Sequence, residues 1–336
     1  MGVDLGKLLE PEEIGLESLE GKKLGIDALN TIYQFLSIIR QRDGTPLMDS
    51  DGNITSHLSG LFYRNIKLLE FGIKPAFVFD GKSPLLKEET LKKRKEIREE
   101  ARKKWKEAKK KGKKKEARKY AQGASKVNEK VLSESKSLLR ALGIPSVQAP
   151  SEGEAQAAYL CQQGDVYAAG SQDYDSLLFG VPKLIRNINI TGKRKVPGKN
   201  YYTEIKPEYL ELKKVLNQLD INREKLVEIG IFMGTDFNPG IKGIGPKRAL
   251  KHVKEKGIEE WKSEYDFAID PVKVKKVFLE PEITKEYELK WTEPDEDKLF
   301  EILHEKHEFS EKRINNALER LEKSKGKRRQ KNLGEF

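Results

Sequence analysis

Two apolar runs that end in aspartate restrict the fold of this chain more than any other feature. Lys22–Asp27 reads KKLGID and Lys74–Asp80 reads KPAFVFD; in the second, apolar residues stand at consecutive rather than alternate positions. A strand apolar on both faces is buried on both faces, the usual state of a parallel strand with helices above and below it. Further β-type runs at Val166–Gly170 and Lys183–Asn187 alternate with helical patterns. The spacing of Ile32, Phe35, Leu36 and Ile39 is helical, and helices are expected near Ser56–Phe71, with Thr55 or Ser56 as N-cap, near Val127–Leu142 and over Glu152–Gln162. The alternation predicts an α/β fold, a mostly parallel central sheet flanked by helices. Ligands of such sheets bind beyond the carboxyl ends of the strands, and Asp27, Asp80 and Asp173 all fall at such ends.

Those three belong to a set of seven acids in five short islands. They are Asp27 in GIDALN, Asp80 in VFDGKSP, Glu152 and Glu154 in APSEGEAQAAY, Asp173 and Asp175 in SQDYDSLL, and Asp236 in GTDFNPGIKGIG. The chain around them is basic, with a net charge of +11 and a pI near 9.3. A basic protein points to a polyanionic partner, and carboxylates facing a polyanion need metal between them. Hard divalent cations take oxygen ligands, and two of them about 3.5–4 Å apart clamp the attacking and leaving oxygens of a phosphodiester. None of the four His lies in an acidic island and Cys161 is the only cysteine, so the donor set speaks against zinc. Each island also has a plain reading. Ser151-x-x-Glu154 fits a capping box, and Asp80-Gly81 and Asp236 fit turns. Taken together the plain readings fail, because acids packed without a cation repel one another and raise each other's pKa values. The pattern predicts a metal-dependent nuclease.

A lone Cys161 in AQAAYLCQQ reads as a buried helical thiol in a reducing compartment. No apolar run approaches the roughly 18 residues of a membrane span, and MGVDLGKLLEPEEIG lacks the layout of a signal peptide. An intracellular, cytoplasmic protein is expected. The surplus charge is localised: Lys87–Lys119 holds 18 Lys and Arg against seven Glu, an excess equal to the net charge of the whole chain. Pairs such as Glu89–Lys93 and Glu100–Lys104 have the favourable i, i+4 orientation of a solvated helix, but an excess of this size costs self-repulsion unless phosphate neutralises it. Gly112 in KKGKKK divides the segment into two helices, an arch or lid. A second phosphate candidate is TDFNPGIKGIGPKRAL over Thr235–Leu250, where Gly243 and Gly245 admit close backbone approach, Pro246 suits a first helical position, and Lys247 and Arg248 add charge. TGKRKVPGK at Thr191–Lys199 reads equally as a DNA-touching hairpin or a surface loop. The last third is helical, with no obvious sheet strands, and the tail KSKGKRRQKNLGEF reads as disordered up to its final residues.

These islands in this order resemble the flap endonuclease family of structure-specific 5′-nucleases. The similarity runs from MGVDLGKLL to about Arg320 through IDALNTIYQFL, TSHLSGLFYR, IKPAFVFDGKSP, APSEGEAQAAY, SQDYDSLLFG and GTDFNPGIKGIGPKRA, and the close spacing looks archaeal. The resemblance implies a PIN-like 5′-nuclease fold with a nuclease region at 1–98, an inserted basic helical arch at 85–127 and an internal nuclease region at 116–258. Within the last it places a helix–two-turn–helix at about 226–255, followed by a helical region at 259–323 and a flexible tail at 324–336. It implies that the seven acids hold two Mg2+ ions, with Mn2+ able to substitute, and that the products carry a 5′-phosphate and a 3′-hydroxyl. Lys87 and Arg94 match residues that neutralise the scissile phosphate. Tyr33 matches an aromatic that stacks on a nucleotide beside the cut, against the alternative of a half-buried helix aromatic. The loop from Gln41 to Ser56 matches a wedge with a pocket for a one-nucleotide 3′-flap; Arg40 and Thr55, with Gly243, Gly245, Lys247 and Arg248, are the implied DNA contacts. Backbone carbonyls near Gly240, Ile241 and Ile244 correspond to a K+ site. Gln330, Leu333 and Phe336 resemble the motif that docks on the sliding clamp (PCNA), although the family form ends in two adjacent aromatics and this chain has one. A monomer acting on branched DNA in replication and repair is the implied whole. The neighbouring alternatives are a 5′-exonuclease or bubble-cutting relative, a junction-binding module without catalysis, and a small-molecule phosphatase.

Overall fold

The computed structural model describes residues 3–41, 43–189, 192–195 and 202–334. Its strands are β1 (Glu12–Glu13), β2 (Lys23–Asp27), β3 (Lys74–Phe79), β4 (Ser146–Gln148), β5 (Ala168–Gly170), β6 (Lys183–Arg186), β7 (Gly192–Lys195), β8 (Tyr202–Ile205) and β9 (Glu208–Glu211). Seven of them form one sheet in the order β1-β9-β6-β5-β2-β3-β4, while β7 and β8 pair separately. The five strands from β6 to β4 are parallel; β9 and β1 close one edge antiparallel. From β2 the chain first builds outward through β3 and β4, then returns to the other side of β2 for β5 and β6. This reversal puts a topological switch between β2 and β5, where an open parallel sheet has its crevice.

The helices are α1 (Ala28–Ile38), α2 (Ser56–Glu70), α3 (Glu88–Lys110), α4 (Lys114–Gly123), α5 (Glu129–Ala141), α6 (Gly153–Gln162) and α7 (Asp175–Leu178). They continue with α8 (Leu212–Leu219), α9 (Arg223–Met233), α10 (Pro246–Glu255), α11 (Ile258–Trp261), α12 (Pro271–Leu279), α13 (Glu296–Phe300) and α14 (Glu311–Gly334). Successive strand residues feed two cores, because side chains alternate across a sheet. Phe77 and Phe79 of β3 join Ile32, Phe35, Leu61, Phe62, Leu138, Leu139 and Ile314 on the face covered by α1, α2, α5 and α14. Val78 joins Val147, Ala169, Leu184, Leu160 and Phe232 on the other, beneath α6 and α9. Each fully buried Phe contributes about 1.5–3 kcal/mol, and the sheet is thereby fixed in register.

Gly112, at φ +69°, breaks the basic segment as its sequence predicts, and α3 and α4 fold back on each other through Ala108, Ala117 and Ala121, all buried. The exposed pairs Glu89–Lys93 and Glu100–Lys104 form at 2.6 Å and stabilise little beyond the local helix.

Four local expectations are corrected. Thr55 occupies the N-cap of α2 but its side chain caps nothing; the Ser56 hydroxyl instead accepts from the Leu47 amide and donates to the Ile39 carbonyl, tying the preceding loop to both helices. The capping box at Ser151–Glu154 does not form, because Glu152 is the N-cap and Glu154 is turned toward two serines. Tail residues through Gly334 continue α14 rather than being disordered. Most of them are good helix formers, the helix is seeded by buried Ala317, Leu318 and Leu321, and Arg328 reaches back to the Glu70 carbonyl. Finally, β4 and the antiparallel edge β9–β1 were not anticipated.

The turn after β3 is held by backbone bonds, the Gly81 amide donating to the Ser151 carbonyl at 2.7 Å and that of Lys82 to Pro150 at 3.0 Å, and by the Gln148 side chain, which donates to the Asp80 carbonyl at 2.7 Å. A Cβ on Gly81 would lie 2.3 Å from the Ala149 and Pro150 carbonyl oxygens. Gly81→Ala should therefore destabilise the fold by roughly 2 kcal/mol or more in denaturant unfolding. A change below about 0.5 kcal/mol, the scale of a neutral surface substitution, would contradict this packing.

Candidate active site

All five acidic islands meet at the carboxyl edge of the sheet. Asp27 ends β2 and accepts the Asn30 amide at 3.0 Å, so the residue that caps α1 also lines the crevice. Asp80 follows β3 and accepts the Gly153 amide at 2.9 Å; a Cβ there would sit 2.4 Å from its Oδ1, so the glycine between Glu152 and Glu154 is required by Asp80. Glu154 Oε1 accepts the Ser171 and Ser176 hydroxyls, both at 2.9 Å. Asp173 accepts from the Asn30 side chain at 2.8 Å, and Asp175 from the Val3 amide at 2.6 Å. Glu152 binds the Lys87 ammonium at 2.5 Å; Asp236, from the loop after α9, meets Lys87 at 3.4 Å and also Arg94.

Burial and mutual repulsion dominate the electrostatics. Burial, then Asp80, pushes Asp27 up to about 8; burial, then Glu152, pushes Asp80 to about 6; burial, then Asp236, pushes Asp175 to about 7. Burial, then Asp175 and Asp27, holds Glu154 well above the usual carboxylate range. These interactions also reach Asp173, so the seven acids form one charge network. Burial alone would lower Lys87, but Glu152 and Asp236 drive it above its ordinary value.

Among the described residues no three His, Cys, Asp or Glu side chains are grouped as a ready-made cage for a metal ion. The carboxylates are turned instead toward Lys87, Arg94, Asn30, the two serines and backbone amides. The donor set nevertheless fits a hard divalent cation. It is all oxygen, and it carries more negative charge than its two cations offset, the excess being visible in four carboxyls that hold protons above their normal range.

Other expected residues fall in three groups. Tyr33 stands exposed on α1, and Lys247 and Arg248 are exposed on the first turn of α10, beside Gly243 at φ +84° and Gly245 at the N-cap. Gly240, at φ +74°, packs on the Met233–Gly234 backbone, and the Ile241 carbonyl accepts the Ile244 amide at 3.1 Å. Two implied DNA contacts are less accessible than their role suggests. Thr55 is buried, and Arg40 is half-buried with its guanidinium bonded to the Gly44 carbonyl and the Ser125 hydroxyl, each at 2.7 Å. Of the clamp motif, Gln330 is exposed on α14, whereas the Leu333 side chain and Phe336 lie outside the described residues, as does most of the Thr191–Lys199 stretch. Its described part, β7, pairs with β8.

The sequence reading missed Asn30, Ser171, Ser176 and Gly153. Asn30 stands three residues after the capping Asp27, and the serines flank the Asp173–Asp175 pair; polar neighbours at those offsets were a usable signal.

Two family descriptions match the chain: XPG N-terminal domain over residues 1–101 and XPG I-region over residues 143–236. Flap endonuclease 1 of Pyrococcus abyssi is 60% identical over 325 residues, spanning 96% of this chain and 95% of that protein. That of Methanosarcina acetivorans is 50% identical over the full length of both. Among solved structures, flap endonuclease-1 from Methanococcus jannaschii is 41% identical with a TM-score of 0.77, covering 97% of this chain and all of that one. The catalytic core of Rad2 in complex with DNA substrate is 28% identical with a TM-score of 0.68, covering 94% and 97%.

Acids whose pKa values are raised by folding stabilise the fold fully below their unfolded values near 4, and that contribution is lost as pH rises through about 6 to 8. In EDTA the melting temperature should thus fall between pH 5 and pH 8.5, on a range set by these pKa values. Asp27→Asn, which keeps the cap, should raise it at the alkaline end by on the order of 2 °C or more. A lower melting temperature for Asp27→Asn at that pH would contradict the crowded anionic site.

Proposed function

The chain belongs to the flap endonuclease family, and from that premise we propose that it hydrolyses a phosphodiester near the single-strand/duplex junction of 5′-flap DNA, with accompanying 5′–3′ exonuclease activity. The observation that carries this reading is the joining of seven acids, three of them buried and four half-buried, and the basic arch at one crevice. Asp27, Asp80, Glu152, Glu154, Asp173, Asp175 and Asp236 would hold two Mg2+ ions, or Mn2+ in their place. When bound, the ions supply an activated water and neutralise developing charge on the phosphate.

The chain's own groups do the rest. Lys87 and Arg94 project from the start of the arch onto the acids, and would bind the scissile phosphate there as charge-assisted donors. Tyr33, on the helix that Asp27 begins, would stack on a base beside the cut, which suits an enzyme indifferent to sequence. Lys and Arg of α3 and α4 would track the single-stranded backbone. The α9–α10 pair would grip downstream duplex through the amides around Gly243 and Gly245 and through Lys247 and Arg248; carbonyls of Gly240, Ile241 and Ile244 would hold K+. Arg40 and Thr55 would act on DNA indirectly, by shaping the loop between α1 and α2. A monomer in the cytoplasm serving Okazaki-fragment maturation and base excision repair follows from the same reading, with Gln330, Leu333 and Phe336 docking on PCNA. No helix among the described residues is long and apolar enough to cross a membrane.

The test is a double-flap DNA labelled on its 5′-flap, incubated with the wild type and with Asp175→Asn, each in Mg2+ and in EDTA. One Mg2+-dependent cut near the junction is expected, reduced by a factor on the order of 10^3 or more in the variant, the scale of losing a catalytic electrostatic group. Binding without cleavage would support a junction-binding module, and preferential trimming of a blunt 5′-end the exonuclease relatives. A parallel arm adds sliding clamp to the chain with and without residues 330–336. Loss of stimulation with unchanged basal rate is expected, and equal stimulation would remove the tail from the proposal.

A further inference from the structure

The loop between α1 and α2 is gripped at its tip by a corner of the chain more than 250 residues away. Its turn closes on itself: the Asp49 amide donates to the Asn53 carbonyl at 3.1 Å, and Asp49 Oδ1 accepts the Asn53 amide at 2.7 Å. Glu308, just before α14, takes that turn with both carboxylate oxygens, one accepting the Ser50 amide at 2.9 Å and the other the Ser50 hydroxyl. Its neighbour His307 lies buried between two carboxylates, Nδ1 at 2.8 Å from Asp49 Oδ2 and Nε2 at 3.5 Å from Glu134 Oε1. Glu134 of α5 in turn meets fully buried His57 of α2 at 3.1 Å, and Lys130 donates to the Asn53 side chain at 2.5 Å.

Glu308 is at φ +58°, and among the described residues the other non-glycine positions with positive φ are Asn187 and Asp220, whose types tolerate it better. A left-handed residue of this kind costs roughly 1–2 kcal/mol and persists only where its surroundings hold it. Local bonds hold it, the Glu308 amide donating to the His304 carbonyl and the Phe309 amide to the Leu303 carbonyl, both at 2.9 Å, and from that turn the Glu308 side chain reaches the loop tip.

Beside that tip, Met48 is 43% exposed, as is Ile38 at the end of α1, with Tyr33 at 36%. Exposed side chains of this kind can stack on or pack against unpaired base edges. At its other end the loop abuts the arch: a Cβ on Gly44 would lie 2.9 Å from the Arg118 Cα, and Asp43 meets Lys109 at 3.4 Å.

We propose that Glu308 and His307 are positioning residues that clasp the tip of the 41–55 loop and so set where a branched duplex stops relative to the acidic crevice. The inference rests on the proposed action on branched DNA. It predicts that an opened clasp lets the duplex settle in several registers, so that affinity and cut position suffer while the chemical step does not.

Glu308→Gly separates positioning from stability, because glycine relieves the left-handed backbone while deleting both bonds to Ser50. Hydrogen exchange on the full chain without DNA should show amides 47–53 exchanging about tenfold faster or more, with the sheet unchanged. On double-flap DNA the variant should raise KM by about tenfold, change kcat by less than about twofold, and spread cleavage to adjacent phosphodiesters. Glu308→Gln, which keeps an acceptor for Ser50, should recover much of both effects. Wild-type exchange in Glu308→Gly would overturn the clasp, and faster exchange with unchanged KM and cut position would overturn its role in positioning. A wild type that does not cut flap DNA would fail the proposed function itself, while the exchange result would still decide whether the clasp exists.

Discussion

Asp27, Asp80, Glu154 and Asp175 are packed where water screens them poorly, and each holds its proton above the normal carboxylate range, first because it is buried and then because the others are near. That repulsion is the constraint on which the remaining structure depends. The sheet must be rigid enough to keep the acids together, which explains strands apolar on both faces and two separate cores locking β2, β3 and β5 from either side. Each acid is also tied down individually, by the Val3 and Gly153 amides, Asn30, Ser171 and Ser176. Such bonds orient the carboxylates without cancelling their charge, so the site is left dependent on cations.

Charge is segregated along the chain in a way that matches this need. The arch carries an excess of positive charge equal to that of the whole protein, and only its foot, Lys87 and Arg94, enters the acidic crevice. Other exposed charges of α3 and α4, such as Glu89–Lys93 and Glu100–Lys104, pair weakly with one another, while Lys109 meets Asp43 of the neighbouring loop. On the proposed function, a phosphate backbone drawn along the arch would arrive at the acids beside Lys87 and Arg94, the two cations best placed to receive it. The loop between α1 and α2 touches this arch at Gly44 and the C-terminal corner at Ser50, so one segment spans the distance between the two.

Much of this arrangement was legible in the sequence, for physical reasons. KPAFVFD and KKLGID could hardly be anything but central parallel strands, and an acid at the end of such a strand can hardly avoid the crevice. The break at Gly112 and the Pro246 helix start were equally readable, since both rest on local backbone preference. What escaped depended on distant partners. β4 and the edge strands β9 and β1 are only two to four residues long and gain their identity from pairing. Ser151-x-x-Glu154 has the spacing of a capping box, but the serines after β5 compete for Glu154 and win. The basic tail has the composition of a disordered segment, yet α14 enters it from a buried apolar stretch and propagates. Arg40 and Thr55 looked like surface contacts because nothing local shows that Gly44, Ser125 and the α2 start enclose them.

The most direct test of the central claim is a calorimetric titration of EDTA-stripped protein with Mg2+ at neutral pH, repeated in two buffers of different ionisation enthalpy. If repulsion among buried acids keeps protons on Asp27, Glu154 and Asp175, cations must expel them as they bind. The account predicts two ions per chain and the release of about one proton or more. Binding of Mg2+ with no proton released would contradict it.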